Sequence, residues 1–140
     1  MPFIPYLSFQ GQCAEAFAFY GKVFGATPET SPFSEIPADA GGPELSPEQK
    51  GWLMHAQIVT PDGVLMGADM PPQYGGVPQA GVSISVTRAD DASARQLFDT
   101  LADGGTVIMP YGPTFFAKGF GMCADRFGTS WMVSHGMADH

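Results

Sequence analysis

Hydrophobic side chains recur at helical spacing in two segments of the chain. Residues 12–24 place an apolar side chain about every third or fourth position, and Gly25 follows, where a left-handed residue can end a helix. Residues 90–103 show the same spacing and are followed by Gly104-Gly105. The two patterns predict two amphipathic helices that bury one side each.

Short apolar runs bounded by turn residues predict the strands. The predicted strands are residues 3–9, 52–59, 64–69, 81–87, 106–109, 119–124 and 129–134. The segment 26–50 is rich in Pro, Gly, Ser and acids, and we predict an irregular loop with one helical turn at the capping box Ser46-Pro47-Glu48-Gln49.

The order of these elements repeats. The first helix aligns with the second at an offset of 78, and the hairpin around Gly63 aligns with the last hairpin at an offset of 65, which places Gly67 on Met132. We therefore predict an α+β fold of two βαβββ modules, roughly 1–72 and 79–136, within a single domain of residues 1–140. Paired modules of this kind form a curved mixed sheet with a ligand cup on one face and helices on the outer face.

Composition narrows the class of protein. Hydrophobic residues make up 44% of the 140 residues and charged residues 14%, as is typical of a globular protein. The net charge of −8 argues against binding to nucleic acid or to anionic membranes. The first residues lack a basic region and a long apolar run, so we expect a cytoplasmic protein without a signal peptide or membrane span. Cys13 and Cys123 are predicted to be buried thiols rather than a disulfide.

Local motifs in this order resemble the PhnB-like group of the vicinal oxygen chelate superfamily. They comprise Tyr6-Leu7-Ser8-Phe9, Ala14-Glu15-Ala16, Phe19-Tyr20, Val23-Phe24-Gly25, Met54-His55-Ala56, Leu65-Met66-Gly67-Ala68-Asp69, Leu97-Phe98, Phe120-Gly121-Met122 and residues 125–133. The superfamily includes glyoxalase I, bleomycin-resistance proteins and extradiol dioxygenases, so the resemblance implies the fold but leaves the activity open. The group is often labelled 3-demethylubiquinone 3-methyltransferase-like, yet the sequence offers no Gly-rich turn of the kind that binds S-adenosylmethionine.

The resemblance also tells us where a metal would bind. Metal-using relatives hold the ion with His, Glu or Gln from four strands. The matching positions here are Pro5 or Tyr6, Gly67, Ser83 and Met132. Asp69 follows Gly67 on the same face of its strand, but the other positions offer no ligand of the usual type. We therefore expect no metal and no cofactor.

His55 is the best candidate for a catalytic residue. It lies in an apolar strand with Gln57 two residues later on the same face. The pair could hydrogen-bond a ligand, with His55 as a general base, or His55 could be a structural core residue. Asp69 could cap the turn at Pro71-Pro72, or pair with a cationic ligand or with His55.

Aromatic residues gather in the segment YGPTFFAKG, where Tyr111, Phe115 and Phe116 could form a lid or simply pack on the sheet. Trp131 is expected in the core if Met132 faces the cup. His135 and His140 lie near the end of the sequence and are not favoured as functional residues.

Together these observations predict a metal-free protein that binds a small organic ligand and forms a homodimer. The predicted ligand-binding residues are Tyr6, His55, Gln57, Asp69, Phe116 and Met132. Whether the protein is an enzyme stays open at this point. The alternative is a metal-dependent lyase, isomerase or dioxygenase of the same superfamily.

Overall fold

The computed structural model describes residues 2–37 and 42–137, which fall into two compact units divided between Gln79 and Ala80. The first unit contains β1 (Tyr6–Phe9), α1 (Cys13–Phe24), β2 (Glu29–Pro32), β3 (Leu53–Thr60) and β4 (Gly63–Asp69). The second contains β5 (Ser83–Arg88), α2 (Asp91–Ala102), β6 (Thr106–Gly112), β7 (Ala117–Ala124) and β8 (Ser130–Met137). His140 lies outside the described residues.

Each unit forms a four-stranded mixed sheet. The strand orders are β1-β4-β3-β2 and β5-β8-β7-β6, so the same topology occurs twice. In each sheet the first two strands of that order are parallel and the others antiparallel. Both helices have 12 residues and begin 78 residues apart, as the offset predicted. The α+β class and the two βαβββ modules are confirmed.

Helix α1 covers one face of the first sheet, where its side chain Phe17 is completely buried. Gly67 has to be small because a Cβ at this position would lie 2.8 Å from the Phe17 ring. Since side chains alternate along a strand, Gly67 and Asp69 face the helix and Met66 faces away from it. We call the face of each sheet opposite its helix the open face.

Helix α2 covers the second sheet in the same way. A Cβ at Gly121 would lie 2.7 Å from the Phe98 ring, which places Gly121 on the helix side and its neighbours Phe120 and Met122 on the open face. Trp131 is 1% exposed and belongs to the core, while Met132 lies on the open face. The predicted division between Trp131 and Met132 is confirmed.

The described parts of segment 26–50, residues 26–37 and 42–50, contain a strand that was not predicted. Glu29–Pro32 forms β2, which pairs with β3 at the edge of the sheet. Its polar sequence ETSP has no apolar alternation, which is why the pattern of the chain did not reveal it. The predicted capping box is confirmed, because the Gln49 N–H donates to Ser46 Oγ at 3.2 Å and the Ser46 N–H to Gln49 Oε1 at 3.1 Å.

The segment YGPTFFAKG also contains more strand than predicted. Strand β6 runs on to Gly112 and β7 begins at Ala117, so only residues 113–116 connect them. Tyr111 packs on the helix side, where its hydroxyl donates to Asp91 Oδ1 at 3.0 Å. Partial burial is the main cause that raises the pKa of Tyr111, and this hydrogen bond adds to it. Packing, rather than a lid, explains Tyr111.

The predicted alignment of the two hairpins is wrong by one residue in the last strand. Thr60 pairs with Gly63 around two turn residues, whereas the Asp125 N–H bonds to Thr129 O around three. The second turn is one residue longer, so Met132 corresponds to Met66 and not to Gly67. A shift of one residue exchanges the two faces of a strand, so the error matters for any site residue on β4.

Both cysteines are free and buried, as predicted. Burial raises the pKa of Cys13 to about 12 and that of Cys123 to about 11. Among the described residues, no helix has the length and apolar character that a membrane crossing requires.

Candidate functional site

Four residues form one row across the open face of the first sheet. Glu29 pairs with Gln57, Gln57 with Met66, and Met66 with Tyr6, so each strand contributes one side chain to the row. His55 lies on the same face, two residues before Gln57. The open face therefore places four polar side chains around the thioether of Met66.

These polar side chains are joined by hydrogen bonds. Tyr6 Oη lies 2.9 Å from His55 Nδ1, and His55 Nε2 lies 3.3 Å from Gln57 Oε1. Gln57 Nε2 donates to Glu29 Oε2 at 3.0 Å. We call Tyr6, His55, Gln57 and Glu29 the polar chain. Its members come from β1, β3 and β2, and the bond between Tyr6 and His55 passes over β4, so the polar chain extends across the whole sheet from Glu29 to Tyr6.

Tyr6 is the exposed member of the polar chain at the end away from Glu29. The residue is 55% exposed, whereas His55 and Gln57 are half-buried. Partial burial is the largest cause that raises the pKa of Tyr6 above its ordinary value, so its hydroxyl remains protonated at neutral pH. A neutral phenol beside an imidazole nitrogen can form hydrogen bonds to a bound molecule and pass a proton to or from it.

Asp69 lies on the other face of the sheet. It is 2% exposed, and its carboxylate accepts backbone N–H bonds from Gly11 at 2.8 Å, Cys13 at 3.0 Å and Leu53 at 2.9 Å. Asp69 forms these contacts, and not the cap of the turn at Pro71 or the bond to His55 that the sequence left open as alternatives. Asp69 joins the start of α1 to the start of β3, which is a structural role.

Phe116 and Met132 lie in the second unit. The rings of Phe116 and Phe120 meet edge to face with centroids 5.0 Å apart, and Phe120 shares the open face with Met132. The corresponding row of this sheet is Met109, Met122, Met132 and Ser85. The second open face thus presents an apolar surface bordered by hydroxyl groups.

The residues at the family's metal positions do not fit a divalent metal ion. After the correction of one residue, the position on β4 is Met66 instead of Gly67. The four positions then offer a phenol from Tyr6, a hydroxyl from Ser83, and thioethers from Met66 and Met132. Zinc, iron and nickel ions bind imidazoles readily, and harder ions such as manganese bind carboxylates. Within residues 2–37 and 42–137, no three His, Cys, Asp or Glu side chains come together in a way that could hold an ion.

Glu29 is the one member of the polar chain that sequence reasoning missed. Its strand is short, polar and at an edge, so it carries no apolar pattern. A signal was nevertheless present, because a βαβββ module requires a strand between its helix and its hairpin. Tyr6, His55 and Gln57 were predicted as ligand-binding residues, and the structure brings these three together.

Comparisons with known proteins place the chain in a family. The model of the 3-demethylubiquinone-9 3-methyltransferase family matches residues 2–134. Protein PA1353 from Pseudomonas aeruginosa is 42% identical, with a TM-score of 0.85, over 97% of this chain and 98% of its own. A putative 3-demethylubiquinone-9 3-methyltransferase, PhnB protein, from Bacillus cereus is 25% identical, with a TM-score of 0.75, over 97% and 100%.

A more distant structure shows the wider fold. It is a glyoxalase/bleomycin resistance protein/dioxygenase family enzyme from Burkholderia phytofirmans, 13% identical with a TM-score of 0.63 over 95% of this chain and 96% of its own. At that identity the likeness concerns the fold alone. The chain belongs to the 3-demethylubiquinone-9 3-methyltransferase, or PhnB-like, family and has the glyoxalase/bleomycin resistance fold.

Proposed function

We propose that this protein binds a small organic molecule, without a metal, on the open face of its first sheet. The observation that carries the proposal is the polar chain, in which Tyr6, His55, Gln57 and Glu29 are hydrogen-bonded in sequence. Binding sites combine an apolar surface with a few placed polar groups, and Met66 supplies the apolar surface beside this chain.

The hydrogen bonds of the polar chain hold its side chains in position before a ligand binds. Gln57 is held by Glu29 and in turn holds the ring of His55, and His55 fixes the hydroxyl of Tyr6. A polar group held in place before binding loses less entropy when the ligand arrives. Tyr6 and His55 are therefore the proposed ligand contacts, with His55 as the group that would accept a proton if the protein is a catalyst.

The proposal does not include methyl transfer, although the family description names a methyltransferase. Sites for S-adenosylmethionine and dinucleotides of the kind considered above lie at the carboxyl ends of successive parallel strands. Each sheet here has a single parallel pair, β1–β4 in the first and β5–β8 in the second.

The alternative is a metal-dependent lyase, isomerase or dioxygenase. Elemental analysis of protein purified without chelator separates the two functions. We expect no stoichiometric Zn, Fe, Mn or Ni, because the strand positions offer thioethers and hydroxyls rather than carboxylates and imidazoles. About one equivalent of metal per chain, retained after dialysis, would establish the alternative.

We also propose a homodimer in the cytoplasm. Several large apolar side chains are exposed on the edge strand β6, namely Val107, Ile108 and Met109. Apolar surface of this kind supports an association between copies. Light scattering that shows a monomer at micromolar concentration would contradict the dimer.

His55→Ala tests the binding site. A metabolite screen by thermal shift first supplies a ligand, which is then titrated into wild type, His55→Ala and His135→Ala. His135 is the matched control, because its ring contacts Arg88 O in the second unit at 3.3 Å. We expect His55→Ala to weaken binding about tenfold or more while the melting temperature stays within a few degrees.

The opposite pattern would assign His55 to the core. In that case His55→Ala would cost about 1–3 kcal/mol of stability, because a buried partner is left without its hydrogen bond, and ligand affinity would be preserved.

A further inference from the structure

We infer that the polar chain has a fixed hydrogen-bond direction, set by Glu29, that makes the Tyr6 oxygen an acceptor toward the ligand. The site then selects molecules that present an O–H or N–H donor and disfavours matched molecules that present only an acceptor. This inference rests on the proposed function, since it concerns the ligand of the same site.

The direction starts at Glu29. An ionised carboxylate can only accept hydrogen bonds, so the contact at 3.0 Å requires that Gln57 present its NH₂ group to Glu29. The amide oxygen of Gln57 then points the other way, toward His55 Nε2 at 3.3 Å. Since an amide oxygen can only accept, Nε2 has to carry the proton of the neutral imidazole.

The direction continues to Tyr6. An imidazole protonated at Nε2 has a lone pair at Nδ1, which lies 2.9 Å from Tyr6 Oη. The single proton of the Tyr6 hydroxyl is therefore donated to His55, and only the oxygen lone pairs remain for a ligand. At the Tyr6 end of the polar chain, the hydroxyl oxygen can therefore only accept a hydrogen bond. A molecule bound there has to donate one.

Replacing Glu29 by Gln removes the acceptor-only group that sets the hydrogen-bond direction of the polar chain. A glutamine at position 29 can donate to Gln57, which can then turn its amide and donate to His55 Nε2. His55 would carry its proton on Nδ1 and donate to Tyr6, and the Tyr6 hydroxyl would become free to donate to a ligand. Glu29 is thus a positioning residue, which acts on the ligand through three other side chains.

The tautomer of His55 can be measured without a ligand. Long-range ¹⁵N–¹H correlation spectra at mildly alkaline pH distinguish Nε2–H from Nδ1–H. We expect Nε2–H in the wild type and a shift toward Nδ1–H in Glu29→Gln. Glu15→Gln is the matched control, because it makes the same charge change at an exposed site on α1 and should leave the spectrum of His55 unchanged.

Ligand selection is measured with phenol and its methyl ether, anisole, which differ in the donor. Calorimetric or chemical-shift titrations should give phenol an advantage of about tenfold or more in the wild type and in Glu15→Gln. The ratio should fall to a few-fold in Glu29→Gln, where either direction is available. It should fall in Tyr6→Phe as well, where the accepting oxygen is gone.

Four results would overturn the inference. An Nδ1–H tautomer in the wild type would contradict the direction, and a ratio that Glu29→Gln leaves unchanged would contradict the role of Glu29. Equal affinity for the two probes, or no binding of either at millimolar concentration, would contradict the ligand class. The proposed function is judged separately, by His55→Ala and the molecule that the metabolite screen supplies.

Discussion

The two open faces have the same register but different chemistry. The row on the first sheet is Glu29, Gln57, Met66 and Tyr6, and the row on the second sheet is Met109, Met122, Met132 and Ser85. By the same register, His55 corresponds to Phe120. Equivalent backbone positions thus hold a hydrogen-bonded chain in one unit and an apolar surface in the other.

The helix sides differ much less. In each unit a phenylalanine of the helix packs on a glycine of the sheet, Phe17 on Gly67 of β4 and Phe98 on Gly121 of β7, although these two glycines do not lie on equivalent strands. The comparison teaches that both units bury a ring against a glycine on the helix side, while the hydrogen-bonded polar chain lies on the open face of the first unit. For the same reason the four strand positions, Tyr6, Met66, Ser83 and Met132, do not form a symmetric set of metal ligands.

The largest expected effect concerns the buried carboxylates on which each unit depends. Asp69 accepts three backbone N–H bonds, and Asp125 accepts those of Phe127 and Thr129 and the Trp131 indole N–H. Asp69→Ala and Asp125→Ala should each reduce the free energy of unfolding by about 3–5 kcal/mol, because buried donors are left unpaired. Urea unfolding measures both.

Asp99→Ala, at an exposed position of α2, is the control and should change the stability by less than about 1 kcal/mol. If Asp69→Ala kept its stability and lost only ligand binding, Asp69 would be a site residue after all.

A second prediction converts the first open face toward the second. Gln57→Met introduces the residue type found at the equivalent position 122. It removes the hydrogen bonds that link His55 to Glu29. Binding of the screened ligand should fall about tenfold, while the free energy of unfolding changes by less than about 1 kcal/mol at this half-buried position. The reciprocal variant Met122→Gln should leave binding unchanged. Equal losses from both variants would show that both open faces take part.

A third prediction concerns alkaline pH. Burial raises the pKa of Cys13 to about 12 and of Cys123 to about 11, from the ordinary thiol value of 9.0. The folded state therefore holds these protons more tightly than the unfolded chain. The resulting stability is complete below pH 9.0 and is lost as the pH rises through about 11 and then about 12.

Urea midpoints measured across this range should fall less steeply in Cys13→Ala than in the wild type. Identical slopes would contradict the contribution of Cys13, since all other groups that titrate there are shared by the two proteins.

The smallest effect compares the starts of the two helices. The Asp90 side chain accepts the Ser93 N–H at 2.7 Å, whereas Gln12 forms no side-chain cap of α1. Asp90→Ala should lower the melting temperature slightly and Gln12→Ala should not. The hydrogen bond from the Ser93 backbone lowers the pKa of Asp90. The stability that this bond adds is therefore present above the ordinary pKa of a carboxyl group and is lost as the pH falls through the lowered pKa. Melting curves at neutral and acidic pH test both points.

The sequence predicted the elements whose signal is periodic. Both helices, the hairpin strands and the common face of His55 and Gln57 follow from apolar spacing and alternation. Glu29 was missed because an edge strand buries little and needs no apolar pattern. The face of Asp69 depends on the register of β4, and one extra turn residue in the second hairpin is enough to shift the alignment on which that register was inferred.

The long reach of Asp69 has a consequence for the order of folding. Helix α2 is capped by its own Asp90, but the start of α1 is held by a carboxylate 56 residues later in the chain. Contacts of such separation form late because the intervening loop has to close first. We therefore expect α2 amides to be protected before α1 amides in pulse-labelled hydrogen exchange during refolding. During synthesis α1 is made before α2, yet the carboxylate that holds its start is made only with residue 69, so the earlier of the two helices is the one that is fixed in place later.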